Sequence, residues 1–299
     1  MPFKPNAGTG TCHRHPNTPQ VNSMNPSATI VADSVTDHGA RITTFELCYQ
    51  RFIHSEVMTH RAFSRNAMSS RAVPVAKMIE QVRNHPATPS HWGMNQPGMQ
   101  ASIEADAEVL LISKGYWDGA ARDAADTAEK MNRLGLHKQV VNRILEPFQW
   151  MRTIVTATEW DNFFELRLHS DAQPEFQVLA GLIKDAMDAS VPVERERGRL
   201  NSGKWCELWH LPYVTDSERA TLREELPKIS AARCARVSYL THDGQNPDIH
   251  KDLALFDRLV GSVPLHASPI EHQACPAEHK YHRSGNFKGW VQYRQIYTP

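Results

Sequence analysis

The sequence has no run of about 18 apolar residues, so no segment reads as a membrane-spanning helix. Its first residues, MPFKPNAGTG, lack the apolar stretch of a signal peptide. The five cysteines, Cys12, Cys48, Cys206, Cys234 and Cys275, are odd in number and scattered, with no CxxC pair. That argues against a disulfide framework or a four-thiolate zinc site and fits a reducing compartment. Charge of neither sign is in excess, because 33 Lys and Arg stand against 33 Asp and Glu. The global basic field that draws nucleic acid or a membrane surface is therefore missing, and an anionic substrate has to be held by local arginine clusters. Neither GxGxxG nor HExxH occurs, so there is no Rossmann dinucleotide fingerprint and no zincin signature. The expectation is a cytoplasmic protein with no nucleic-acid partner, no membrane partner and no metal.

What is present is a chain of 299 residues, enough for one large domain or two small ones. Residues 1–28 are rich in Pro, Asn, Thr and Ser without periodicity and read as a flexible tail, on which Cys12, His13 and His15 are incidental. ATIVADSV and RITTFELCY alternate and are β-branched, with Asp37-His38-Gly39 as the turn of a strand pair. Residues 50–60 read as helical, 61–72 as an irregular turn, and VPVAKMIEQV as a helix entered at Pro74. A long helix is expected over 101–133, with a break at Gly115, and further helices over 137–150, 173–190 and IHKDLALFDRLV. ISAARCARVSYL reads as a short helix into a strand, and the chain beyond Pro264 as irregular. The fold class that results is α+β, a single domain over 29–299 with a central sheet packed by long helices.

Three segments carry chemistry. Thr59 to Arg71 packs three Arg, three Ser, one His and one Asn into thirteen residues. Guanidinium forks match phosphate oxygens, and Ser hydroxyls with turn N–H groups complete an anion cradle. A solvated basic helix face is the plainer alternative. In the second segment, Arg143 precedes Thr156-Ala157-Thr158 and Asn162-Phe163-Phe164-Glu165-Leu166-Arg167. Phe163, Phe164 and Leu166 read as core. Asn162 and Arg167 interrupt that apolar run, and their spacing of five does not place them on one helical face, so they could serve different ligands. The third is His266-Ala267-Ser268-Pro269-Ile270-Glu271-His272, a Ser-Pro turn whose two His and Glu could also serve a metal.

Together these segments resemble the flavin-dependent thymidylate synthases. That family carries Arg-His-Arg, then seven residues, then Ser with a following Arg; here Thr59-His60-Arg61 is followed after seven residues by Ser69-Ser70-Arg71. The family's Asn-Phe, Leu-Arg and Ala-Gln run resembles Asn162 to Gln173, and its His-x-Thr-Pro-x-Glu-His resembles His266 to His272. The resemblance covers roughly residues 28–82, 134–190 and 229–276. It implies FAD held by His60, Arg61, Ser64, Asn66, Asn162, Ser268 and Glu271. It implies dUMP held by Ser69, Ser70, Arg71, Arg143 and Arg167. Arg167, His266 and Arg143 would serve the reaction, with Arg167 at the uracil and His266 at the isoalloxazine edge.

Methylene-tetrahydrofolate as carbon donor, NADPH as reductant and a homotetramer with shared active sites follow from the same resemblance. Thr59 stands where the family has Arg, Ala67 where Glu is common, and Thr156 and Thr158 where a relative has Asn and Arg. Thr59 and Ala67 motivate hydroxymethylation of dUMP as an alternative; a non-catalytic flavin- or RNA-binding relative is another. The third segment, with Ala232 to Ser238, precedes the triplet in the family and follows it here, which implies a circularly permuted order with an insertion at about 191–228. Residues 286–294 match nothing in the common pattern. The thymidylate synthases that add a Cys to uracil carbon 6 find no counterpart in these cysteines.

Overall fold

The computed structural model describes residues 24–196, 208–222, 224–237 and 245–297. Strands β1 (Ser27–Thr36) and β2 (Arg41–Gln50) form the hairpin expected from their alternation, closed where Gly39 takes φ +83°. Gly39 donates to the Thr36 carbonyl at 2.9 Å, a turn that a side chain at that φ would strain. β1 starts at Ser27, so the last two residues assigned to a tail belong to the sheet.

Next come α1 (His54–Val57), β3 (Ser64–Ala67), α2 (Val75–Asn84), α3 (Ala107–Arg133) and α4 (Lys138–Val141). A 3₁₀ segment over Asn142–Phe148 leads into β4 (Trp150–Ala157), followed by α5 (Asp161–Arg167), α6 (Pro174–Ala189) and β5 (Val193–Arg195). The main sheet runs β3-β4-β2-β1-β5, antiparallel except for the parallel β1–β5 pair.

Two expectations change here. The segment 61–72 holds a real strand, because β3 pairs with β4 from Ser64↔Thr156 to Ala67↔Thr153. The long helix begins at Ala107, where the Asp106 carboxylate caps the N–H groups of Glu108 and Val109, and it runs through Gly115 without a break.

β2 is buried on both faces. Phe45, Leu47 and Tyr49 point to one side and pack with Phe176, Leu179 and Ile183 of α6. Ile42 points to the other and packs with Ala274, Phe287 and Trp290. That second cover is the C-terminal part of the chain: α7 (Asp216–Thr221), α8 (Leu226–Arg236), α9 (Ile249–Leu259), a 3₁₀ turn over Ser268–Glu271, short strands β6 (Ala274–Pro276), β7 (Arg283–Ser284), β8 (Phe287–Lys288) and β9 (Trp290–Gln292), and α10 (Tyr293–Ile296). The stretch expected to be irregular beyond Pro264 thus forms two small sheets, β6–β9 and β7–β8.

α2 and α3 pack on each other through Val75, Met78, Ile79 and Val82 against Ala121, Ala125 and Ala128. The fold is α+β, as expected. No helix among the described residues is long and apolar enough to cross a membrane.

Candidate active site

The turn after α1 is tied down by Arg65, whose Nη1 donates to the carbonyls of Met58 at 2.6 Å and His60 at 2.9 Å. It delivers the His60 ring into an aromatic nest of Phe63, Phe163 and Phe176, with centroids 5.1 to 5.7 Å away. Burial, then the charges of Arg167 and Arg65, push His60 down to about 4. Its imidazole is therefore neutral near pH 7. It accepts a hydrogen bond at Nε2 from Arg167 Nε at 2.9 Å, which leaves its own proton on Nδ1.

Arg167, the last residue of α5, also donates through Nη1 to Glu56 Oε2 at 3.2 Å and stacks its Cζ 4.4 Å from the Phe176 centroid. A cleft of about 620 Å³ opens here, lined by Thr59, His60, Arg61, Phe63, Asn162 and Arg167 among others. Asn162 and Arg167 thus share one cleft despite their spacing of five, because the cleft wraps around the short helix. Leu166, expected in the core, is 51% exposed and lines it too.

A second group forms around Glu146. Asn142, fully buried, donates to the carbonyls of Ser70 at 2.7 Å and Val73 at 3.1 Å, which fixes the turn that carries Ser69, Ser70 and Arg71. Glu146 accepts from Arg143 at 2.7 Å, Arg51 at 2.9 Å and the Ser70 hydroxyl at 3.3 Å. Burial alone raises the Glu146 carboxyl, but the hydrogen bond from Arg143 and the charges of Arg51 and Arg143 outweigh it and hold the group below the ordinary carboxylate range. Ser69 and Arg71 are exposed, and Arg71 makes no ion pair among the described residues. Three guanidinium groups against one carboxylate leave this cluster net positive.

Between the two groups stands His54, which shares a hydrogen bond with Tyr49 Oη at 2.8 Å. Burial, then Arg51 and Arg65, push it down to about 4. Arg65 thus acts on both imidazoles. Among the described residues no hydrogen bond or ion pair joins the Arg167 group to the Glu146 group.

The remaining candidates lie on the seam between the sheet and the C-terminal cover. Ser64 is buried, and its hydroxyl accepts from Gln292 Nε2 at 3.1 Å and Asn286 Nδ2 at 3.5 Å. Asn66 donates to the Cys234 carbonyl at 3.3 Å. Glu271 pairs with Arg294. Ser268 and His266 are exposed. Thr156 is fully buried, bonded to Thr44 at 2.7 Å and to His272 Nδ1 at 2.8 Å, so it reaches no open cleft. Thr158 accepts from the Lys288 N–H at 2.9 Å.

The Ser268–Glu271 turn packs directly against β3, so the His-x-Ser-Pro segment stands beside the Thr59–Arg71 segment although some 200 residues separate them. His272 is fully buried, and no group of three or more potential metal ligands occurs among the described residues. Cys48, Cys234 and Cys275 have thiols raised above their usual range by burial, Cys275 to about 11, and none faces the cleft. Cys12, His13, His15, Cys206 and the strand expected after Val237 lie outside the described residues.

Several residues of these groups were not singled out from the sequence: Glu56, Arg51, Gln292 and Arg294. Glu56 carried one local signal, its i,i+4 spacing to His60 at the end of a helix. The others meet their partners across long stretches of chain.

The model of the thymidylate synthase complementing protein family matches residues 33–193. Two similar solved structures are of PolB, a UMP/dUMP methylase from Streptomyces cacaoi, bound with 5-Br UMP or with 5-Br dUMP. Each is 15% identical to this chain. The first covers 55% of this chain and 88% of its own at a TM-score of 0.48, the second 55% and 90% at 0.47. No curated protein matches.

Proposed function

The chain belongs to the thymidylate synthase complementing protein family, the flavin-dependent thymidylate synthases, and on that premise we propose that it methylates dUMP to dTMP. FAD is the cofactor, methylene-tetrahydrofolate the carbon donor and NADPH the reductant. The observation that carries this reading is Arg167, a guanidinium pinned by His60, Glu56 and Phe176 at the wall of an aromatic cleft. An oriented cation of this kind serves a ring on which negative charge develops, as on uracil when carbon 5 acts as nucleophile.

FAD supplies the redox chemistry when bound. The cleft suits part of it. Phe63 and Phe163, almost fully buried, form its apolar floor, and Asn162, Arg61 and His60 line it with polar groups. Ser64, Asn66 and Glu271 are engaged in the seam instead, so His60, Arg61 and Asn162 are the residues assigned to FAD on this chain. Arg71, Arg143, Ser69 and Ser70 hold the dUMP phosphate, which fixes the base relative to the flavin. The buried, protonated thiols fit a reaction that needs no cysteine adduct.

The Arg167 and Glu146 groups stand as two separate half-sites on one chain. They complete one another across a subunit boundary in a homotetramer, where the exposed His266 and Ser268 would add to the FAD contacts. Exposed Leu111, Ile112 and Tyr116 on the first half of α3 supply apolar surface for such an assembly. The packing of the Ser268–Glu271 turn on β3 supports the permuted order: the segment occupies a place beside the triplet although it comes last in the chain.

The test is the visible spectrum of the purified protein, then incubation with dUMP, methylene-tetrahydrofolate and NADPH, with the product identified by mass. A flavin spectrum and a product heavier by one methylene unit is the expected result. A hydroxymethyl product would point instead to the alternative that Thr59 motivates, since its hydroxyl is turned back onto the Glu56 carbonyl at 2.7 Å and adds no cation to the cleft. No flavin and no product would overturn the reading.

A further inference from the structure

Arginine carries five N–H groups. In Arg167 the Nε–H goes to His60 and one Nη1–H to Glu56, so three are left with no partner among the described residues. The side chain is only 19% exposed and lines the cleft, so those three face the ligand space or its immediate rim. The two partners differ in kind. His60 is an uncharged acceptor that fixes the guanidinium plane, and Phe176 supports that plane from one face. Glu56 is charged, and it is the one carboxylate paired with Arg167 among the described residues. Arg167 and Glu56 together are close to neutral.

The other half-site is built the opposite way. There Glu146 is shared between Arg51 and Arg143, Arg71 is left without an ion pair among the described residues, and the cluster keeps a net positive charge. A phosphate dianion placed at Arg167 would sit close to the Glu56 carboxylate; placed at the Arg71–Arg143 cluster it would meet surplus cation. An uncharged carbonyl has the opposite preference, because it needs oriented N–H donors rather than net charge.

We propose that Glu56 sets the polarity of nucleotide binding: by balancing Arg167 it reserves that guanidinium for uncharged ring carbonyls and leaves the phosphate to the Arg71–Arg143 cluster. Glu56 is in this sense a positioning and specificity-determining residue. The inference rests on the proposed reading of Arg167 as the uracil contact.

The experiment titrates inorganic phosphate into the full-length enzyme by calorimetry, in low salt, for the wild type, Glu56→Gln, Glu56→Asp and the double variant Glu56→Gln with Arg167→Ala. Glutamine keeps an acceptor of similar reach and loses the charge; aspartate keeps the charge and loses reach. Expected are a new, tighter phosphate site in Glu56→Gln, by about tenfold, wild-type-like binding in Glu56→Asp, and loss of the gain in the double variant. Phosphate affinity unchanged in Glu56→Gln, a gain that survives removal of Arg167, or equal shifts in Glu56→Gln and Glu56→Asp would each overturn the proposal. Melting temperatures of all four proteins show whether a variant has failed to fold, and Glu56→Ser then replaces it in the same titration. Wild-type turnover of dUMP is measured separately, so failure of the proposed reaction is distinguishable from failure of this charge assignment.

Discussion

Replacing Arg167 by alanine removes the pinned guanidinium from the cleft wall while leaving Asn162, Arg61 and the aromatic nest in place. The variant is expected to keep its flavin spectrum and to lose dUMP turnover by about 100-fold or more, the scale on which loss of one oriented charge-stabilising donor acts. Normal turnover in Arg167→Ala, measured beside the flavin content, would remove it from the uracil contact.

A different single-residue effect concerns Asp252. It is fully buried and pairs with Arg233 Nε at 2.8 Å and with Arg236, while Arg233, also fully buried, reaches Glu218 at 2.6 Å. Asp252→Asn takes the carboxylate from Arg236 and leaves Arg233 with Glu218 alone. A loss of about 3–5 kcal/mol is expected, checked by urea denaturation.

At the scale of elements, α3 shows how far local rules reach. Its start was displaced from the expected 101 to Ala107 because Asp106 is the residue whose carboxylate reaches two orphan N–H groups. Its expected break did not occur, because a Gly inside a helix weakens it by only about 1 kcal/mol, which packing against α2 overcomes. A Cβ built on Gly115 meets nothing within 4 Å. Gly115→Ala is therefore expected to stabilise the protein by about 0.5–1 kcal/mol, seen as a higher urea midpoint at unchanged slope.

β3 illustrates the reverse case. SRNA is too short and too polar to announce a strand, and it becomes one because β4 offers an open edge from Thr156 to Thr153.

For the whole molecule, the C-terminal cover is tied to the sheet by buried neutral imidazoles. His210 joins Thr44 and Ser34, and His272 joins Thr156, all fully or almost fully buried. Burial pushes His272 down to about 3, and burial with nearby positive charges holds His210 well below 6.5; His54 and His60 are at about 4. In the unfolded chain each titrates near 6.5.

Between that value and about 4 the unfolded state therefore binds more protons than the folded one, so stability rises with pH there and is lost as pH falls. Each of the two fully buried imidazoles contributes about 1.4 kcal/mol per pH unit across this window, and the two partly exposed ones less. Glu146 and Glu218, held below 4.5 chiefly by their arginine partners against the effect of burial, extend the loss at lower pH. Melting temperatures measured from pH 7.5 to 4.5 should fall steadily below about 6.5. A flat profile would show that these histidines are not neutral in the fold.

The proposed shared site gives a second expectation at this scale. Arg167→Ala and Arg71→Ala, each inactive alone, should regain part of the wild-type turnover when subunits are mixed and reassembled. Absence of recovery in exchanged, assembled mixtures would place both half-sites on one subunit.

Local periodic elements and motif residues are already legible in the order of the amino acids. The β1–β2 hairpin, α2, α6 and α9 followed from alternation, helical spacing and turn chemistry, all properties of neighbouring residues. The thirteen residues from Thr59 to Arg71 and the Asn162–Arg167 run were legible because unusual polar types concentrate there. Which of them stay open to a ligand depends on long-range packing. Ser64, Asn66 and Glu271 resemble ligand contacts as letters, yet Gln292, the Cys234 carbonyl and Arg294 engage them across the seam. Arg167 meets Glu56 across 111 positions, and Ser70 meets Glu146 across 76. A guanidinium or a hydroxyl carries no mark of its partner in the chain. Its hydrogen bonds are chosen by whichever acceptor the packed sheet and helices bring within about 3 Å, and that choice belongs to the fold.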